Sequence, residues 1–374
     1  MRLDHVDGVR ACAALIVYWN HAYAQVSGGD TVQLQGLLYG NRLSMVAGHL
    51  CVTIFIVVSG FCLTLPVIRH GGHVRGGVKD FLKRRARRIL PPYYAAMFLC
   101  LLMIWTIIGK PTGTLWDYPA VVTKQAIIAH LALVQDLFAT SHINYVFWSI
   151  AVEWHIYFVV PLLVAAWRRF GASAVVLGSL ALGYALRIGF SGTRIVRAHP
   201  QFLGMFALGM LAAYIARSDE PRFVSLRAKV PWGLVALAAF GVAVALAAHF
   251  GVVHPEEHFY ILDLPVGLLA MSLLASSSTS EPNALTRVLS WKPLVVIGSF
   301  SYSLYLIHAP FLQTMWQYVF TPLGCSRETT FIGLMTGGLL LILVISYLFF
   351  LVFEAPFMGT ARRKAETETG VIPA

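Results

Sequence analysis

The chain has 374 residues, of which 58% are hydrophobic and only 12% are charged, and its formal net charge is +11. A soluble domain carries about 25% charged residues, so this composition, with a mean hydropathy of +0.71, excludes an ordinary soluble protein. Membrane topology explains the excess of basic residues better than nucleic-acid binding does, because Lys and Arg collect in cytoplasmic loops. We therefore expect no nucleic-acid partner, one membrane domain over residues 1–360, and a short polar cytoplasmic tail over 361–374.

About ten transmembrane helices in an all-α polytopic fold are predicted, because a helix needs about 20 apolar residues to cross a bilayer. The predicted spans are 9–26, 45–68, 91–109, 147–167, 172–190, 198–217, 231–250, 260–276, 294–319 and 330–353. The stretch 119–138 is also apolar, but Lys124, Gln125, His130 and Gln135 interrupt it. It is either an eleventh span or a segment at the membrane surface.

Charge counting favours ten spans with both termini in the cytoplasm. On that topology 21 of the 28 Lys and Arg residues face the cytoplasm, as the positive-inside rule requires. The seven external ones are Arg42, Lys110, Lys124, Arg187, Arg194, Arg197 and Arg327. An eleventh crossing would reverse every later loop, so we read 110–146 as an external segment that lies on or dips into the membrane.

The five cysteines include no CxxC pair, and four of them lie in apolar runs. Neither a disulfide framework nor a metal site is expected from this spacing. Each cysteine is expected to be a small buried hydrophobic residue.

His21 is the first candidate for chemistry, late in the first predicted span and eleven residues after Arg10. At 1.5 Å per residue the two lie about 16 Å apart along a helix, so His21 is expected deep in the membrane. Ionisable groups there are costly and are functional candidates by default, and histidine can act as a general base. The alternative is a histidine that a neighbouring helix satisfies.

Ser59, midway through the second span, offers a small residue and a hydroxyl group. Five basic residues then occupy the six positions 83–88 at the inner mouth of the third span. Arg85 and Arg88 are three apart, so a helix places them on one face, and arginine binds phosphate in a bidentate manner. The cluster predicts a dock for a phosphorylated donor such as acyl-CoA. A topogenic run that touches anionic lipid is the alternative.

Glu153 lies in the fourth predicted span, about 9 Å from its outer end, and His21 lies about 8 Å from the outer end of its own span. Similar depth predicts a His–carboxylate pair in which Glu153 orients His21 or stabilises its protonated form. A packing role for Glu153 fits the depth equally well. His308, near the middle of the ninth span, either contacts substrate or bridges helices. Glu354, at the cytoplasmic end of the last span, is expected to pair with a loop arginine.

Together these pieces resemble the membrane-bound acyltransferase 3 family, whose members include O-acetylases of lipopolysaccharide and exopolysaccharide, Nod-factor acetylases and macrolide acyltransferases. The resemblance covers residues 3–357. The matching segments, in the family's order, are Leu3–Arg10 leading to His21, Val52–Phe61, Arg84–Pro91, Trp148-Ser149 with Glu153, Tyr157 and Pro161, Ser303–His308, and Glu354–Phe357.

The resemblance implies a multi-pass enzyme of the bacterial inner membrane. It would transfer an acyl group, above all acetyl, from cytosolic acyl-CoA to a hydroxyl of an extracytoplasmic or lipid-linked glycan, with no bound cofactor. The family's essential histidine falls on His21, and its donor-binding arginines fall on Arg85 and Arg88, with Arg10 assisting. Further candidates for substrate contact or structural roles are Ser59, Trp148, Ser149, Tyr305 and His308.

The chain departs from many relatives at Trp154-His155, where they carry a second acidic or polar residue, and this leaves room for His155 in acceptor recognition. The sequence contains no appended periplasmic hydrolase-like domain, so we expect it to act alone or with an unlinked partner. The alternative function is a transporter or flippase with buried His and Glu as a proton relay, although no repeated half is visible.

Overall fold

The computed structural model describes residues 3–27, 36–41, 44–108, 121–138, 143–250, 258–276 and 284–358, and every regular element in these ranges is helical. The α-helices are α1 (Asp4–Val26), α2 (Gly36–Asn41), α3 (Ser44–Arg69), α4 (Gly77–Met103), α5 (Lys124–Leu131), α6 (Phe147–Gly189), α7 (Phe202–Arg217), α8 (Pro221–Lys229), α9 (Trp232–Phe250), α10 (Phe259–Ser276), α11 (Ala284–Leu289), α12 (Lys292–Ser299), α13 (Ser301–Met315), α14 (Arg327–Gly333) and α15 (Leu339–Phe349). The all-α prediction is therefore confirmed for the described residues. The predicted tail, 361–374, lies outside them.

Seven of the described helices are long and apolar enough to cross a membrane, or up to eight if one strongly bent helix pair forms a single span. Each of the ten predicted spans falls on a helix or on consecutive helices. The chain is thus a polytopic helical membrane protein.

Two of the predicted spans, 147–167 and 172–190, lie within α6, which has 43 residues. A helix of that length would extend about 65 Å, twice the roughly 30 Å of the bilayer core. Gly171 interrupts it with φ 83° and ψ 174°, a conformation that is open to glycine but strained for other residues. The break divides α6 at the position where the sequence separates two spans.

The predicted span 294–319 is a broken helix. Its two parts, α12 and the helical stretch from Ser301 to Phe320, are bent by 73° relative to each other. His308 lies in the second part, in α13.

The stretch 119–138 contains α5, whose eight residues extend only about 12 Å. That is too short for a transmembrane crossing, so the described part of this stretch is not an eleventh helical span. The hydroxyl groups of Tyr93 and Tyr94 on α4 donate to the carbonyl oxygens of His130 and Leu131, at 3.0 and 2.7 Å. Tyr93 lies about 22 Å along the helix from Ile108, so this segment packs against the middle of α4. We call its described residues, 121–138 and 143–146, the α5 segment. That it lies on or dips into the membrane surface stays a prediction.

The chain forms two compact units. The first unit comprises Met1–Gly48, Arg84–Ile150 and Leu289–Ala374, and the second comprises His49–Lys83 and Ala151–Val288. In the first unit α1 packs against α12, α13 and α14, and α13 packs against α15. In the second unit α10 packs against α7 and α9.

Within the second unit, α3 and α7 meet backbone to backbone through two glycines. A Cβ on Gly60 would overlap the carbonyl oxygen of Phe206, and a Cβ on Gly209 would overlap that of Val57. Small residues permit such close approach of helices in membranes. The Gly60 of the second-helix motif therefore serves helix packing.

Candidate active site

The candidate active site is a pair of buried histidines in the first unit. His21 on α1 and His308 on α13 are 8% and 1% exposed. His21 Nδ1 lies 2.7 Å from His308 Nε2, and the two rings are nearly parallel, with an interplanar angle of 8°. The sequence singled out both residues, but it did not predict that they contact each other.

The backbone of α13 fixes the proton positions in this pair. His308 Nδ1 lies 2.9 Å from the carbonyl oxygen of Leu304, which can only accept a hydrogen bond, so Nδ1 carries a proton. In a neutral imidazole the other nitrogen is then an acceptor, so His308 Nε2 accepts the hydrogen bond from His21 Nδ1. It follows that neutral His21 carries its lone pair on Nε2, as a general base requires.

Aromatic side chains surround the two imidazoles. Tyr145 meets the His21 ring edge-on, with centroids 5.3 Å apart, and the rings of Tyr18 and Tyr305 lie 6.2 and 6.1 Å from His308. This shell lowers the local polarity, which strengthens the hydrogen bond between the imidazoles. Tyr145 was not predicted from the sequence, because no charged group or motif marks it.

Tyr145 is held in place by its neighbour Asn144. The Asn144 amide donates to the carbonyl oxygen of Leu306 at 3.0 Å, and its oxygen accepts from the backbone N–H of Val146 at 3.1 Å. The α5 segment is thereby fastened to α13 two residues before His308. From the sequence, this segment was considered only for its place in the membrane topology. In the structure, its Tyr145 forms one wall of the site.

His130, in the same segment, is structural. Its Nδ1 donates to the carbonyl oxygen of Ala126 at 2.8 Å, and its Nε2 accepts from the N–H of Ile143 at 3.3 Å. Both ring nitrogens are therefore engaged by backbone groups. His130 thus links α5 to the backbone at Ile143.

Ser149 and Tyr305, two of the motif candidates, contact each other. Their hydroxyl oxygens lie 2.7 Å apart, so one hydroxyl donates to the other, and the carbonyl oxygen of Val146 lies 3.2 Å from each and accepts from the remaining donor. This contact joins the start of α6 to α13 beside His308. Trp148 directly precedes Ser149 and is half-buried.

The basic cluster at the start of α4 is divided into two faces. Arg85 and Arg88 are half-buried, whereas Arg84 and Arg87 are exposed. Arg85 Nε is buried and has no hydrogen-bond partner among the described residues. A buried guanidinium nitrogen without a protein partner is suited to an anionic ligand. The exposed Arg84 and Arg87 are in the position expected of residues that fix membrane topology.

Arg10, the third predicted donor ligand, forms an ion pair with Asp7 at 3.2 Å, one helical turn earlier on α1. Its side chain is only 17% exposed. Because α1 is unbroken from Asp4 to Val26, the predicted separation of about 16 Å between Arg10 and His21 along the helix is retained.

Glu153 belongs to the second unit, where its carboxylate accepts from the hydroxyl of Tyr157 at 2.5 Å. The Tyr157 hydroxyl also lies 3.4 Å from Ser59 Oγ. Three motif residues from two helices thus form one polar chain that sequence analysis did not foresee. The pairing of His21 with Glu153 stays a prediction. The depth estimated for Glu153 assumed that α6 begins at the membrane surface. In the structure, Phe147 at the start of α6 packs against Tyr93 partway along α4, with ring centroids 4.8 Å apart.

The two late motifs are linked by a hydrogen bond. Ser303 Oγ donates to Glu354 Oε2 at 2.6 Å, and Glu354 is 2% exposed. The bond joins α13 to the helical stretch that follows α15. The expected contact of Glu354 with a loop arginine stays a prediction.

Comparison with known proteins gives one family and several distant relatives. A family model described as an acyltransferase domain, Acyl_transf_3, matches residues 3–351. The O-acetyltransferase OatA of Staphylococcus aureus (strain NCTC 8325 / PS 47) is 24% identical over 340 residues, which cover 84% of this chain and 51% of that protein. Nodulation protein 10 of Rhizobium leguminosarum bv. viciae is 25% identical over 357 residues, which cover 86% and 88%. The chain spans about half the length of OatA, and no solved structure matches it.

Proposed function

The chain belongs to the acyltransferase 3 family, and from that membership we propose that it is a membrane O-acyltransferase. It transfers an acyl group, acetyl above all, from cytosolic acyl-CoA to a hydroxyl of an extracytoplasmic or lipid-linked glycan. We propose further that the chain crosses the bacterial inner membrane ten times, with both termini in the cytoplasm. The similarity to an O-acetyltransferase and to a nodulation protein supports this activity.

The observation that carries the proposal is the proton arrangement of the histidine pair. The carbonyl oxygen of Leu304 sets the tautomer of His308, and His308 sets that of His21. The result is a buried imidazole whose Nε2 can accept a proton from an alcohol. A histidine that served packing alone would not need a second histidine to fix its tautomer.

The reaction then proceeds by general-base catalysis. His21 Nε2 takes the proton of the acceptor hydroxyl as its oxygen attacks the thioester carbonyl of acyl-CoA. The C–O bond forms, the C–S bond breaks, and the proton passes from the His21 imidazolium to the departing CoA thiolate. His308 Nε2 keeps the hydrogen bond from His21 Nδ1 throughout and so stabilises the imidazolium.

The donor binds through its phosphates at Arg85 and Arg88. Arginine forms bidentate, charge-assisted hydrogen bonds with phosphate, and the Arg85 Nε is buried without a partner among the described residues. Arg10 lies on the helix that carries His21 and assists at the inner end. The pantetheine arm spans the distance from the phosphates to the imidazole.

The test is transfer of radiolabelled acetyl from acetyl-CoA by the purified full chain in lipid nanodiscs. We expect His21→Ala to abolish both transfer and acetyl-CoA hydrolysis, because general-base catalysis contributes about 10² to 10⁴ in rate. His70→Ala is the matched control, because His70 is exposed and its ring bonds, among the described residues, only to the carbonyl oxygen of Pro66 one turn earlier. Full activity of His21→Ala would overturn the mechanism. Transport of a glycan without ester formation would favour the transporter alternative, which the relatives do not support.

A further inference from the structure

A second buried polar group lies in the second unit, around a carboxylate that the sequence analysis passed over. Asp263 on α10 is 0% exposed. Its Oδ1 accepts from His49 Nε2 at 3.1 Å and from Thr53 Oγ1 at 2.5 Å, and its Oδ2 accepts from Gln201 Nε2 at 3.0 Å. A buried carboxylate is costly in a membrane protein and is a functional candidate by default.

Gln201 presents an unused acceptor beside this carboxylate. Since its Nε2 donates to Asp263, the orientation of the amide is fixed, and its Oε1 has no donor among the described residues. Gln201 is 1% exposed. A buried amide oxygen of this kind requires a donor, and a hydroxyl group of a ligand can supply one.

Three arginines precede Gln201 in the chain. The guanidinium of Arg187 lies 4.9 Å from the centroid of Tyr260, and its Nε is buried with no partner in the described chain. Arg194 and Arg197 are exposed on the 3₁₀ helix Arg194–Ala198. Three residues per turn place these two on one side of that helix.

His199 lies near both Arg187 and the buried carboxylate of Asp263. It adopts a left-handed conformation with φ 47°, which is unfavourable for a residue other than glycine. Its ring lies 5.7 Å from that of His49, and Arg187 and Asp263 are among its charged neighbours. Strain of this kind persists where the surrounding structure imposes it, and it is concentrated at ligand sites.

Topology does not explain these arginines. On the proposed orientation the positions 187–197 are external, yet they contain three of the seven external basic residues. The positive-inside rule concerns charge in cytoplasmic loops and gives no reason for an external cluster. A negatively charged ligand gives a reason for an external basic cluster.

We propose that Arg187, Arg194, Arg197, His199 and Gln201, here called the outer cluster, bind the acceptor, and that the acceptor carries a phosphate or carboxylate group near its hydroxyls. The arginines bind the anionic group, and Gln201 Oε1 accepts from a hydroxyl. Asp263 holds Gln201 and His49 in position. This inference rests on the proposed function and names the substrate class of the same enzyme.

The experiment measures binding to the full chain in nanodiscs made of phosphatidylcholine alone. The probes are α-D-glucose 1-phosphate, methyl α-D-glucoside and CoA. The variants are Arg194→Gln/Arg197→Gln for the outer cluster and Arg85→Gln/Arg88→Gln for the donor site. Arg222→Gln is the matched control, an exposed arginine of the same unit that pairs with Glu220 at 2.8 Å.

We expect α-D-glucose 1-phosphate to bind the wild-type chain at least about tenfold more tightly than methyl α-D-glucoside, equivalent to about 1.4 kcal/mol. Arg194→Gln/Arg197→Gln should remove that preference and leave CoA binding intact. Arg85→Gln/Arg88→Gln should weaken CoA binding and keep the preference between the sugars. Arg222→Gln should change neither.

Equal binding of the two sugars, or no binding of the phosphorylated one at millimolar concentration, would overturn the inference. So would a preference lost only in Arg85→Gln/Arg88→Gln, because the phosphate would then occupy the donor site. A further arm adds phosphatidylglycerol to the nanodiscs. If Arg194→Gln/Arg197→Gln alters only the interaction with that lipid, the cluster binds lipid headgroups and the inference is wrong. Unchanged CoA binding in Arg85→Gln/Arg88→Gln would instead contradict the proposed donor site.

Discussion

His308 is the residue whose substitution tests the active-site geometry most directly. Its Nε2 accepts from His21 Nδ1 at 2.7 Å in a buried environment. His308→Ala removes the acceptor and leaves the His21 N–H unsatisfied in the same place. His21 becomes an imidazolium in the transition state, and a hydrogen bond to a charged group is worth about 1.5–3 kcal/mol, where each 1.36 kcal/mol corresponds to tenfold in rate. We therefore expect kcat to fall by about 10-fold to 150-fold.

The loss should be confined to the chemical step. His308 is a positioning residue that acts through His21, so the KM for acetyl-CoA should stay at its wild-type value. His308→Gln should recover part of the loss, because the glutamine oxygen lies the same number of bonds from Cβ as Nε2 and can accept from His21. The assay is steady-state acetyl transfer with acetyl-CoA varied, on nanodisc samples matched for folded protein by size-exclusion chromatography.

Two results would refute the reasoning. A wild-type kcat in His308→Ala would show that the tautomer of His21 does not depend on His308. Equal defects in His308→Ala and His308→Gln would show that the size of the ring matters and that the acceptor atom does not.

Three further predictions concern other parts of the chain. Arg85→Gln should raise the KM for acetyl-CoA about tenfold, because a charge-assisted hydrogen bond is worth about 1.5–3 kcal/mol. Arg84→Gln, the exposed control, should leave that KM unchanged, and equal effects of the two variants would contradict a donor site on the half-buried face. Tyr145→Ala should lower kcat, because it removes the aromatic ring that packs beside His21. Tyr145→Phe should retain most activity, and a severe defect in that variant would mean that the hydroxyl group is required. Gly209→Ala should lower the thermal unfolding temperature in detergent, because its Cβ would overlap the carbonyl oxygen of Val57. An unchanged unfolding temperature would show that α3 and α7 can move apart without loss of stability.

The residues brought together at the histidine pair show where prediction from sequence ends. His21 and His308 were each found because a lone histidine in an apolar run is conspicuous. Their contact was not predicted, because the depth of a residue follows from its position along one helix, whereas its angle around the bundle depends on the packing of all helices. Tyr145 and Asn144 carry no such mark, and only the packing of the α5 segment against α13 makes them part of the site.

The same distinction separates Asp263 from the sequence candidates. It lies in a predicted span and meets the criterion of a costly buried charge, yet its meaning depends on His49, Thr53 and Gln201, which come from distant parts of the chain. By contrast, the helical period alone places Arg85 and Arg88 on one face. Arg85 and Arg88 were therefore predictable as a pair.

Local sequence determined the membrane character, the positions of the helices and the family motifs, because the length of an apolar run and the spacing of residues along one helix are properties of neighbouring residues. Tertiary structure alone decided which tautomer His21 adopts, which segment walls the site, and which helices approach through Gly60 and Gly209. Those outcomes depend on hydrogen bonds and contacts between residues as much as 287 positions apart, and no local pattern encodes them.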